Sequence, residues 1–307
     1  MQEICLVTCS RLPDLDDDDQ LLIEPLARLG YTVVPGVWDD PTVDWDRFEL
    51  TVIRSTWDYT ERRDAFVEWA RSVPRLLNPA SVIEWNTDKR YLSELVSAGV
   101  PVVETTFAAT ADELALPADG EYVLKPAVGA GSIGADRYNS ADPTARQRAA
   151  DHATRLIAAG QTVLIQPFVH SIEEAGETSV MLMNGEFSHA IRKELMLGAH
   201  TLEEVEGLYK EEQIGQRQPS PSELALAART IAALPFNPAD LLYARVDMVP
   251  GPDGSPILME LELTEPSLFM LRAPGSEEQF AAAIAARAKK EAGRAPQRSK
   301  PGLSAGE

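Results

Sequence analysis

Short apolar runs and helical patterns alternate over the first 84 residues of the chain. The runs at 4–8, 31–37 and 50–55 are typical of strands, and helical spacing of apolar residues follows the first and the third. This alternation predicts a small parallel sheet that is covered by helices. We therefore expect residues 1–84 to form an α/β domain that binds ligands beyond the carboxyl ends of its strands.

The rest of the chain is predicted to form two lobes in which helices pack on antiparallel strands. Residues 85–167 open with a helix that has Thr87 as its N-cap, followed by strands and a second helix. Residues 168–290 hold strands of which the last two are joined by a Gly-Pro-Asp-Gly turn at 251–254. Pro, Gly and charged residues dominate 291–307, which predicts a disordered tail. The fold class is thus α/β with additional α+β lobes.

The charge of the chain argues against partners that carry a phosphate backbone. Lys and Arg number 28 and Asp and Glu number 48, so the formal net charge is −20. This charge repels nucleic acid and anionic lipid, and no basic run supplies a local patch. The N-terminal segment has no basic signal region, and no apolar run has the length of a membrane span. We therefore expect a cytoplasmic protein that binds neither nucleic acid nor membranes.

A glycine-rich hexapeptide, GAGSIG, occupies residues 129–134 and satisfies the pattern G-x-G-x-x-G. In dinucleotide-binding folds a helix follows these glycines directly, whereas turn formers and a proline follow here. A hairpin tip fits better, because its backbone N–H groups can fold over a triphosphate. Lys125 precedes the loop and can contact the same phosphates, and Ser132 can add a hydroxyl donor. Considered alone, the hexapeptide is equally consistent with a flexible surface turn.

Two acidic residues, Glu260 and Glu262, lie two positions apart in the apolar segment PILMELEL, so a strand places both on one face. Asp247 lies on the preceding strand, across the predicted turn. Three carboxylates on one apolar face repel each other unless a cation neutralises them, and oxygen ligands of this kind suit Mg²⁺. Replacing Glu260 with glutamine is then expected to retain or raise stability without ligand. A solvated strand face is the alternative.

Together these residues resemble the ATP-grasp superfamily of carboxylate-activating ligases over about residues 85–290. The resemblance implies that two lysines and the hairpin contact the ATP phosphates, that a hinge at 166–169 contacts adenine, and that one glutamate contacts the ribose. The nucleotide-binding set implied in this way comprises Lys89, Lys125, Gly129, Gly131, Ser132, Gly134, Gln166, Phe168, Val169 and Glu173.

The same resemblance gives roles to the carboxylates and to two arginines. It implies that Asp247, Glu260 and Glu262 bind one or two Mg²⁺ ions, for which Mn²⁺ can substitute. Glu262 stands where the family pattern has asparagine, which keeps an oxygen ligand and adds a negative charge. Arg245 corresponds to an arginine that stabilises the transferring phosphoryl group and the acyl intermediate. Arg192 is a second catalytic candidate, unless it forms a surface salt bridge.

Four N-terminal segments are similar to one branch of this superfamily: VTCSRLPDLDDDD, WDDP, RSTWDY and LLNPASVIEWNTDKRYL. This branch includes the O-ureidoserine cyclo-ligase of cycloserine biosynthesis. The resemblance implies an ADP-forming C–N ligase with an acyl-phosphate intermediate, and it favours ring closure of O-ureidoserine to cycloserine. An intermolecular amino-acid ligase and a nucleotide-binding regulator without turnover are the alternatives.

An amino-acid-like substrate is expected to bind at the segment RSTWDY. Arg54 suits a substrate carboxylate and Asp58 suits an ammonium group, with Ser55 between them. A helix-capping loop with a packed tryptophan is the alternative interpretation. The acidic run from Asp14 to Asp19 is expected to form solvated residues at the start of a helix.

Overall fold

The computed structural model describes residues 2–193, 204–205, 208–210 and 214–294, and its N-terminal part is a sheet flanked by helices. The elements are β1 (Gln2–Thr8), α1 (Asp17–Gln20), α2 (Ile23–Arg28), β2 (Tyr31–Val37), β3 (Leu50–Ser55), α3 (Arg63–Ser72), β4 (Leu76–Leu77) and α4 (Ala80–Asn86), with 3₁₀ turns at Trp45–Arg47 and Trp57–Glu61. The strand order is β2-β1-β3-β4, and every pairing is parallel. The predicted small parallel sheet is confirmed.

The central part is an antiparallel sheet with one long helix packed on it. Its elements are α5 (Tyr91–Ser97), β5 (Thr106–Ala108), a 3₁₀ turn at Ala111–Glu113, β6 (Glu121–Pro126), β7 (Asp136–Asn139), α6 (Pro143–Ala158) and β8 (Val163–Pro167). The strand order is β5-β8-β6-β7. Asp142 caps α6 by accepting the Thr144 N–H at 2.8 Å, and Pro143 takes the first helical position.

The C-terminal part is built on a second antiparallel sheet, with strand order β13-β10-β9-β14-β15. Its elements are α7 (Ile172–Ala175), β9 (Glu177–Met183), β10 (Glu186–Lys193), β11 (Glu204–Val205), β12 (Tyr209–Lys210), β13 (Ile214–Gln216), α8 (Pro221–Ala232), a 3₁₀ turn at Pro238–Asp240, β14 (Tyr243–Pro250), β15 (Pro256–Glu262), a 3₁₀ turn at Met270–Arg272 and α9 (Ser276–Arg294). A capping box of Ser220 and Glu223 begins α8.

Three sequence-based expectations differ from the structure at element boundaries. Thr87 ends α4 instead of beginning α5, because Asn86 and Thr87 complete the preceding helix and residues 87–90 form a turn. Helix α5 packs on the C-terminal sheet, where the Tyr91 hydroxyl donates to the Leu261 carbonyl at 2.7 Å. Helix α9 continues to Arg294, so the predicted disorder is wrong for residues 291–294. The remainder of the predicted tail lies outside the described residues.

Helix α9 joins the N-terminal sheet to the C-terminal sheet. Phe280 and Ile284 on α9 belong to one buried apolar cluster with Ile4 on β1 and Met181 on β9. Burial of such side chains stabilises the junction by roughly 1.5–3 kcal/mol each. Within the described ranges, no helix combines the length and apolarity that a membrane crossing requires. The division into domains at residues 84 and 167 stays a prediction.

Candidate active site

A single cavity of about 510 Å³ brings together residues from all three parts of the chain. The N-terminal part contributes Asp16, Asp17, Asp18, Trp57 and Tyr59; the central part and the turn before it contribute Lys89, Lys125, Gly129, Gly131, Ser132, Gln166, Phe168 and Val169. The C-terminal part contributes Glu177, Lys193, Arg245, Asp247, Glu260, Glu262, Glu265, Ser267, Phe269, Leu271 and Arg272. Most of the residues that the sequence singled out therefore line one space.

The glycine-rich hexapeptide forms the tip of a hairpin, as the sequence predicted. Strands β6 and β7 are antiparallel neighbours with Leu124 opposite Asp136, and residues 127–135 connect them. Gly131 and Gly134 have positive φ angles of 56° and 72°, a conformation that glycine adopts without steric cost. Gly134 does not line the cavity; its α-carbon packs so close to Pro126 that a β-carbon would lie 3.3 Å from the proline ring. Its role is therefore in shaping the loop.

Two lysines hold Glu260 from either side. The Lys89 and Lys125 ammonium groups each lie 3.1 Å from a different oxygen of the Glu260 carboxylate. Lys89 also donates to the Gly129 carbonyl at 2.5 Å, which ties the turn before α5 to the hairpin. Burial alone would raise the pKa of Glu260, but the charges of the two lysines outweigh it and lower the pKa to about 2. A cluster of this kind offers two cations to an incoming phosphate.

The carboxylates and Arg245 face each other across the β14–β15 ladder. Arg245 is paired with Glu262 and Asp247 with Glu260 in the register of the two strands. The Arg245 guanidinium donates to Asp247 at 2.9 Å and also contacts Glu262. Burial, with the charges of Asp247 and Glu260, raises the pKa of Glu262 to about 7, although Arg245 opposes the change. The predicted proximity of the three carboxylates is confirmed.

Lys193, and not Arg192, supplies the second cation beside Asp247. The Lys193 ammonium lies 2.9 Å from Asp247 and 2.6 Å from Glu177. Adjacent residues of a strand point to opposite faces, and the pairing of β10 with β9 places Lys193 on the face of Asp247. The Arg192 guanidinium instead donates to the Glu174 carbonyl at 2.7 Å, outside the cavity. The structure therefore does not bring Arg192 to the site.

The donor chemistry of the site fits a divalent cation. Asp247, Glu260 and Glu262 present carboxylate oxygens to the cavity, which hard cations such as Mg²⁺ prefer. Within the part of the chain that the structure describes, no three acidic, His or Cys side chains converge around one point, since Lys and Arg side chains lie among the carboxylates. When a metal binds, Lys89, Lys125 and Lys193 would therefore have to exchange these carboxylates for other partners.

The predicted hinge lines the cavity, with part of its backbone already bonded. Phe168 and Val169 contribute to the wall, but the Phe168 N–H donates to the Glu121 carbonyl at 2.8 Å. The Gln166 side chain donates to Thr105 at 2.9 Å. Arg137 stacks over the Phe168 ring, with its guanidinium carbon 3.4 Å from the ring centroid. The hinge is thus held from outside the cavity.

Glu173 lies on α7 and does not line the cavity. Its carboxylate accepts from Arg137 at 2.9 Å, and its side chain is 43% exposed. Its salt bridge to Arg137 is the contact that the structure shows, and a role of Glu173 at the ribose stays a prediction.

Arg54, Ser55 and Asp58 lie outside the cavity wall, contrary to the expectation that they hold the substrate. Arg54 is 1% exposed, and its guanidinium donates to Asp19 at 2.7 Å and to the Pro266 carbonyl at 2.8 Å. The Ser55 hydroxyl donates to the same Asp19 at 2.6 Å. Asp58 is buried and accepts from the Trp38 ring at 2.9 Å. Ser55 and Asp58 serve packing within the N-terminal part, and Arg54 also joins that part to Pro266 in the C-terminal part.

The acidic run is more buried than expected. Asp16, Asp17 and Asp18 line the cavity, and Asp18 and Asp19 are each less than a tenth exposed. The buried ion pair between Asp19 and Arg54 draws α1 against β3, which carries the preceding acids to the cavity. The expectation of solvated residues therefore fails for Asp18 and Asp19, whereas Asp14 and Asp17 are exposed.

A segment after β15, residues 264–272, forms a wall of the cavity that the sequence analysis did not predict. Side chains from different parts of the chain hold its backbone: Trp57 donates to the Glu265 carbonyl at 3.0 Å, and Arg245 donates to the Ser267 carbonyl at 3.1 Å. Burial, and then the charge of Glu262, raise the pKa of Glu265 to about 8. Glu265, the acidic residue that follows β15, was the available sequence signal for this wall.

Several solved structures share this arrangement of units. A RimK-domain ATP-grasp protein from Sphaerobacter thermophilus matches over 92% of this chain and 99% of its own, with a TM-score of 0.62 and 17% identity. A D-alanine–D-alanine ligase from Bacillus anthracis matches over 95% of this chain and 100% of its own, with a TM-score of 0.62 and 15% identity. The fold is the ATP-grasp fold, which ATP-dependent ligases share. Ligases of this class use ATP and divalent metals.

More similar relatives narrow the class to one family. The chain is 37% identical over 301 residues to the cycloserine biosynthesis protein DcsG of Streptomyces lavendulae, covering 93% of this chain and 99% of that protein. The crystal structure of D-cycloserine synthetase DcsG matches with a TM-score of 0.81 and 36% identity, over 93% of this chain and 99% of that chain. A family profile described as the N-terminal domain of D-cycloserine synthetase DcsG matches residues 4–78. The chain therefore belongs to the DcsG family of ATP-grasp ligases.

Proposed function

We propose that this ligase closes O-ureidoserine to cycloserine at the expense of ATP. The observation that carries the proposal is the similarity to DcsG over 93% of the chain, which includes the N-terminal part. That part contributes Asp16, Asp17 and Asp18 to the cavity, and we call these three residues the acidic wall. The cavity supports it, because phosphate-binding cations and an acidic wall meet in one space of a size suited to ATP and a small amino acid.

The ATP triphosphate would bind between the hairpin and the two lysines beside Glu260. Lys89 and Lys125 are the cations that the hairpin loop covers, and both are less than a fifth exposed. Phosphate groups are favourable partners for such ammonium groups and for loop N–H groups. Phe168 and Val169 would contact the adenine, on the hinge that Arg137 holds in place.

Asp247, Glu260 and Glu262 would hold one or two Mg²⁺ ions, or Mn²⁺ in their place. Bound there, the metal supplies positive charge that neutralises the phosphates during transfer. Arg245 contacts two of these carboxylates and lines the cavity, so its guanidinium can stabilise negative charge that develops on the transferring group. Lys193 holds the Asp247 carboxylate in its orientation.

The reaction would start when a substrate carboxylate oxygen attacks the γ-phosphorus of ATP, with release of ADP. The ureido nitrogen next to oxygen then attacks the acyl carbon of the acyl phosphate, inorganic phosphate leaves, and the nitrogen loses its proton. Addition of water to the carbamoyl group left on the ring nitrogen releases carbon dioxide and ammonia, which balances the conversion to cycloserine.

ADP formation with a single amino-acid substrate tests the proposal. Each enantiomer of O-ureidoserine is supplied alone with MgATP. We expect at least one of the two to give cycloserine and ADP in equal amounts. The Lys125→Ala variant, with one phosphate cation removed, serves as the control for contaminating activity. ADP that appears only when a second amine is added would favour an intermolecular ligase and contradict ring closure.

We also propose that the partners are limited to ATP and this small substrate. The net charge of −20 disfavours nucleic acid and anionic membranes. Because ATP is the phosphate donor, the cytoplasm is the compartment in which the reaction would occur.

A further inference from the structure

Asp18 is a buried carboxylate whose second oxygen is unused within the described residues. Its side chain lines the cavity, although the residue is only 7% exposed. The first oxygen, Oδ1, accepts the Leu271 N–H at 2.8 Å. The other oxygen, Oδ2, is buried and has no hydrogen-bond partner of normal geometry in the described part of the chain, although the backbone of Met270 also stabilises the carboxylate. A carboxylate oxygen in this state is costly unless a ligand supplies the missing partner.

The surrounding residues fix the position of this carboxylate. Asp16 caps α1 by accepting the Asp18 N–H at 3.0 Å. On the other side, Arg54 and Ser55 bind the Asp19 carboxylate, so contacts at Asp16 and at Asp19 hold the chain before and after Asp18. From the other side, the 264–272 segment provides the Leu271 N–H. A group that several contacts hold in place before a ligand arrives binds it with a small entropic cost.

The cations of the cavity and its acidic wall come from different parts of the chain. Cations from the central and C-terminal parts surround Asp247, Glu260 and Glu262, where the triphosphate would bind. The wall from the N-terminal part is acidic, and Arg54, whose charge also acts on Asp18, is paired with Asp19. An acidic wall repels ATP, so its partner has to be a cation on the second substrate.

We propose that Asp18 binds the α-ammonium group of the amino-acid substrate through Oδ2 and thereby selects substrates with a free amino group. This inference rests on the proposed function of the site and deepens it. An ammonium group donates strong hydrogen bonds and brings the positive charge that the wall lacks. Binding the ammonium at Asp18 leaves the substrate carboxylate available for the γ-phosphate.

The electrostatics of Asp18 agree with a cationic ligand. Burial, and then the charge of Asp19, raise the pKa of the Asp18 carboxyl to about 6. An ammonium group at Oδ2 would stabilise the ionised form and lower this pKa again. A metal ion fits the position less well, because such an ion needs several oxygen ligands and both oxygens of the neighbouring Asp19 carboxylate are already bonded to Arg54 and Ser55.

Two measurements test the inference. In the first, ADP release by the wild-type protein is compared for a panel of amino acids that includes O-ureidoserine, each with its N-acetyl derivative. In the second, kinetic constants are measured for Asp18→Asn, which keeps the shape and the acceptor for Leu271 but removes the charge. Asp14→Asn is the matched control, since it removes the same charge from an exposed residue of the acidic run that does not line the cavity.

We expect Asp18→Asn to raise KM for the free amino acid about 10- to 100-fold, while KM for ATP stays near that of wild type, because a charge-assisted hydrogen bond is lost only at the amino group. N-acetylation should weaken wild-type turnover comparably and should matter little in the variant. The Asp14→Asn protein should behave as wild type.

The experiments distinguish a wrong ammonium site from a wrong overall reaction. Turnover of another amino acid but not of O-ureidoserine would contradict cycloserine formation, and the comparison of free and N-acetylated forms would still test Asp18. Equal use of both forms by the wild-type protein would overturn the ammonium site. An unchanged KM in Asp18→Asn would overturn it as well. Should that variant fail to fold, the wild-type comparison decides alone.

Discussion

Glu260 and Glu262 should change the stability of the ligand-free protein in opposite directions when each is replaced by glutamine. The two side chains share one strand face, and they differ in what surrounds them. Two lysines contact Glu260, whereas Glu262 has one arginine that it shares with Asp247. The variants Glu260→Gln and Glu262→Gln remove the same charge two residues apart, so each is the control for the other.

The Glu262 charge opposes folding above neutral pH. Burial raises its pKa from 4.5 to about 7 in the folded protein, so the folded state holds an extra proton between these values and loses stability as the pH rises. The full difference corresponds to ~3 kcal/mol. Because the side chain is 27% exposed, solvent screening reduces this figure. We expect Glu262→Gln to raise the free energy of unfolding by about 1–2 kcal/mol at pH 8.

The Glu260 charge supports folding, which reverses the sequence-based expectation for this residue. Its lysine contacts lower the pKa from 4.5 to about 2, so the stabilisation is fully present above pH 4.5 and is lost as the pH falls towards 2. Glu260→Gln also leaves Lys89 buried without its main counter-charge. We expect a loss of about 2–3 kcal/mol that is similar at pH 5 and pH 8.

Urea unfolding of the ligand-free proteins at pH 5 and pH 8 measures both effects. The gain from Glu262→Gln should shrink at pH 5, where Glu262 is protonated in the folded wild-type protein, and the loss from Glu260→Gln should persist. Both variants should also lose ADP formation if these carboxylates hold the metal. Shifts of the same sign in the two variants, or a Glu262→Gln gain that is equal at both pH values, would refute the reasoning.

Four further substitutions, of which Arg192→Ala is a control, test the contacts around the site. Lys125→Ala should weaken MgATP binding in calorimetry by about 10-fold or more, and an unchanged affinity would exclude the lysine from phosphate binding. Lys193→Ala should lower turnover while its neighbour Arg192→Ala stays near wild type, and equal losses in ADP release would contradict the assignment of the strand faces. Arg54→Met should reduce the free energy of unfolding by about 3–5 kcal/mol in urea titrations, because a buried carboxylate loses its partner; an unchanged midpoint would argue against a structural role.

The order of strands and helices was predictable because it depends on local signals. The alternation of apolar runs before residue 84 predicted a parallel sheet, and proline after a capping residue marked the start of α6 and of α8. The start of α5 was predicted wrongly because Thr87 has the side chain of an N-cap but serves as the end of the preceding helix. A capping residue can serve either end of a turn, and only the tertiary contacts of Lys89 and Tyr91 distinguish the two.

The positions of the lysines and carboxylates that line the cavity were predictable for a different reason. Their spacing along single elements is fixed by strand period and by one tight turn, so Glu260, Glu262 and Asp247 could be placed on one face. Lys193 was missed because choosing between it and Arg192 requires the register of β10 against β9, which the sequence does not contain. Arg54 was assigned to the substrate for its chemistry, and its burial depends on contacts with residues far along the chain.

The buried charges of the ligand-free cavity are satisfied by internal partners, with Asp18 as an exception among the described residues. In the proposed mode of binding, Lys89 and Lys125 would exchange the Glu260 carboxylate for ATP phosphates while a metal neutralises that carboxylate, so nucleotide binding would replace one ion pair by another. Such an exchange avoids the cost of several kcal/mol that an unpaired buried charge carries. Asp18 has no such exchange available, because its Oδ2 has no partner in these residues. If Asp18 binds the substrate ammonium group as proposed, its carboxylate would therefore gain more from substrate binding than the paired groups gain from ATP. This difference would make the acidic wall the part of the cavity where substrate identity has the greatest effect on affinity.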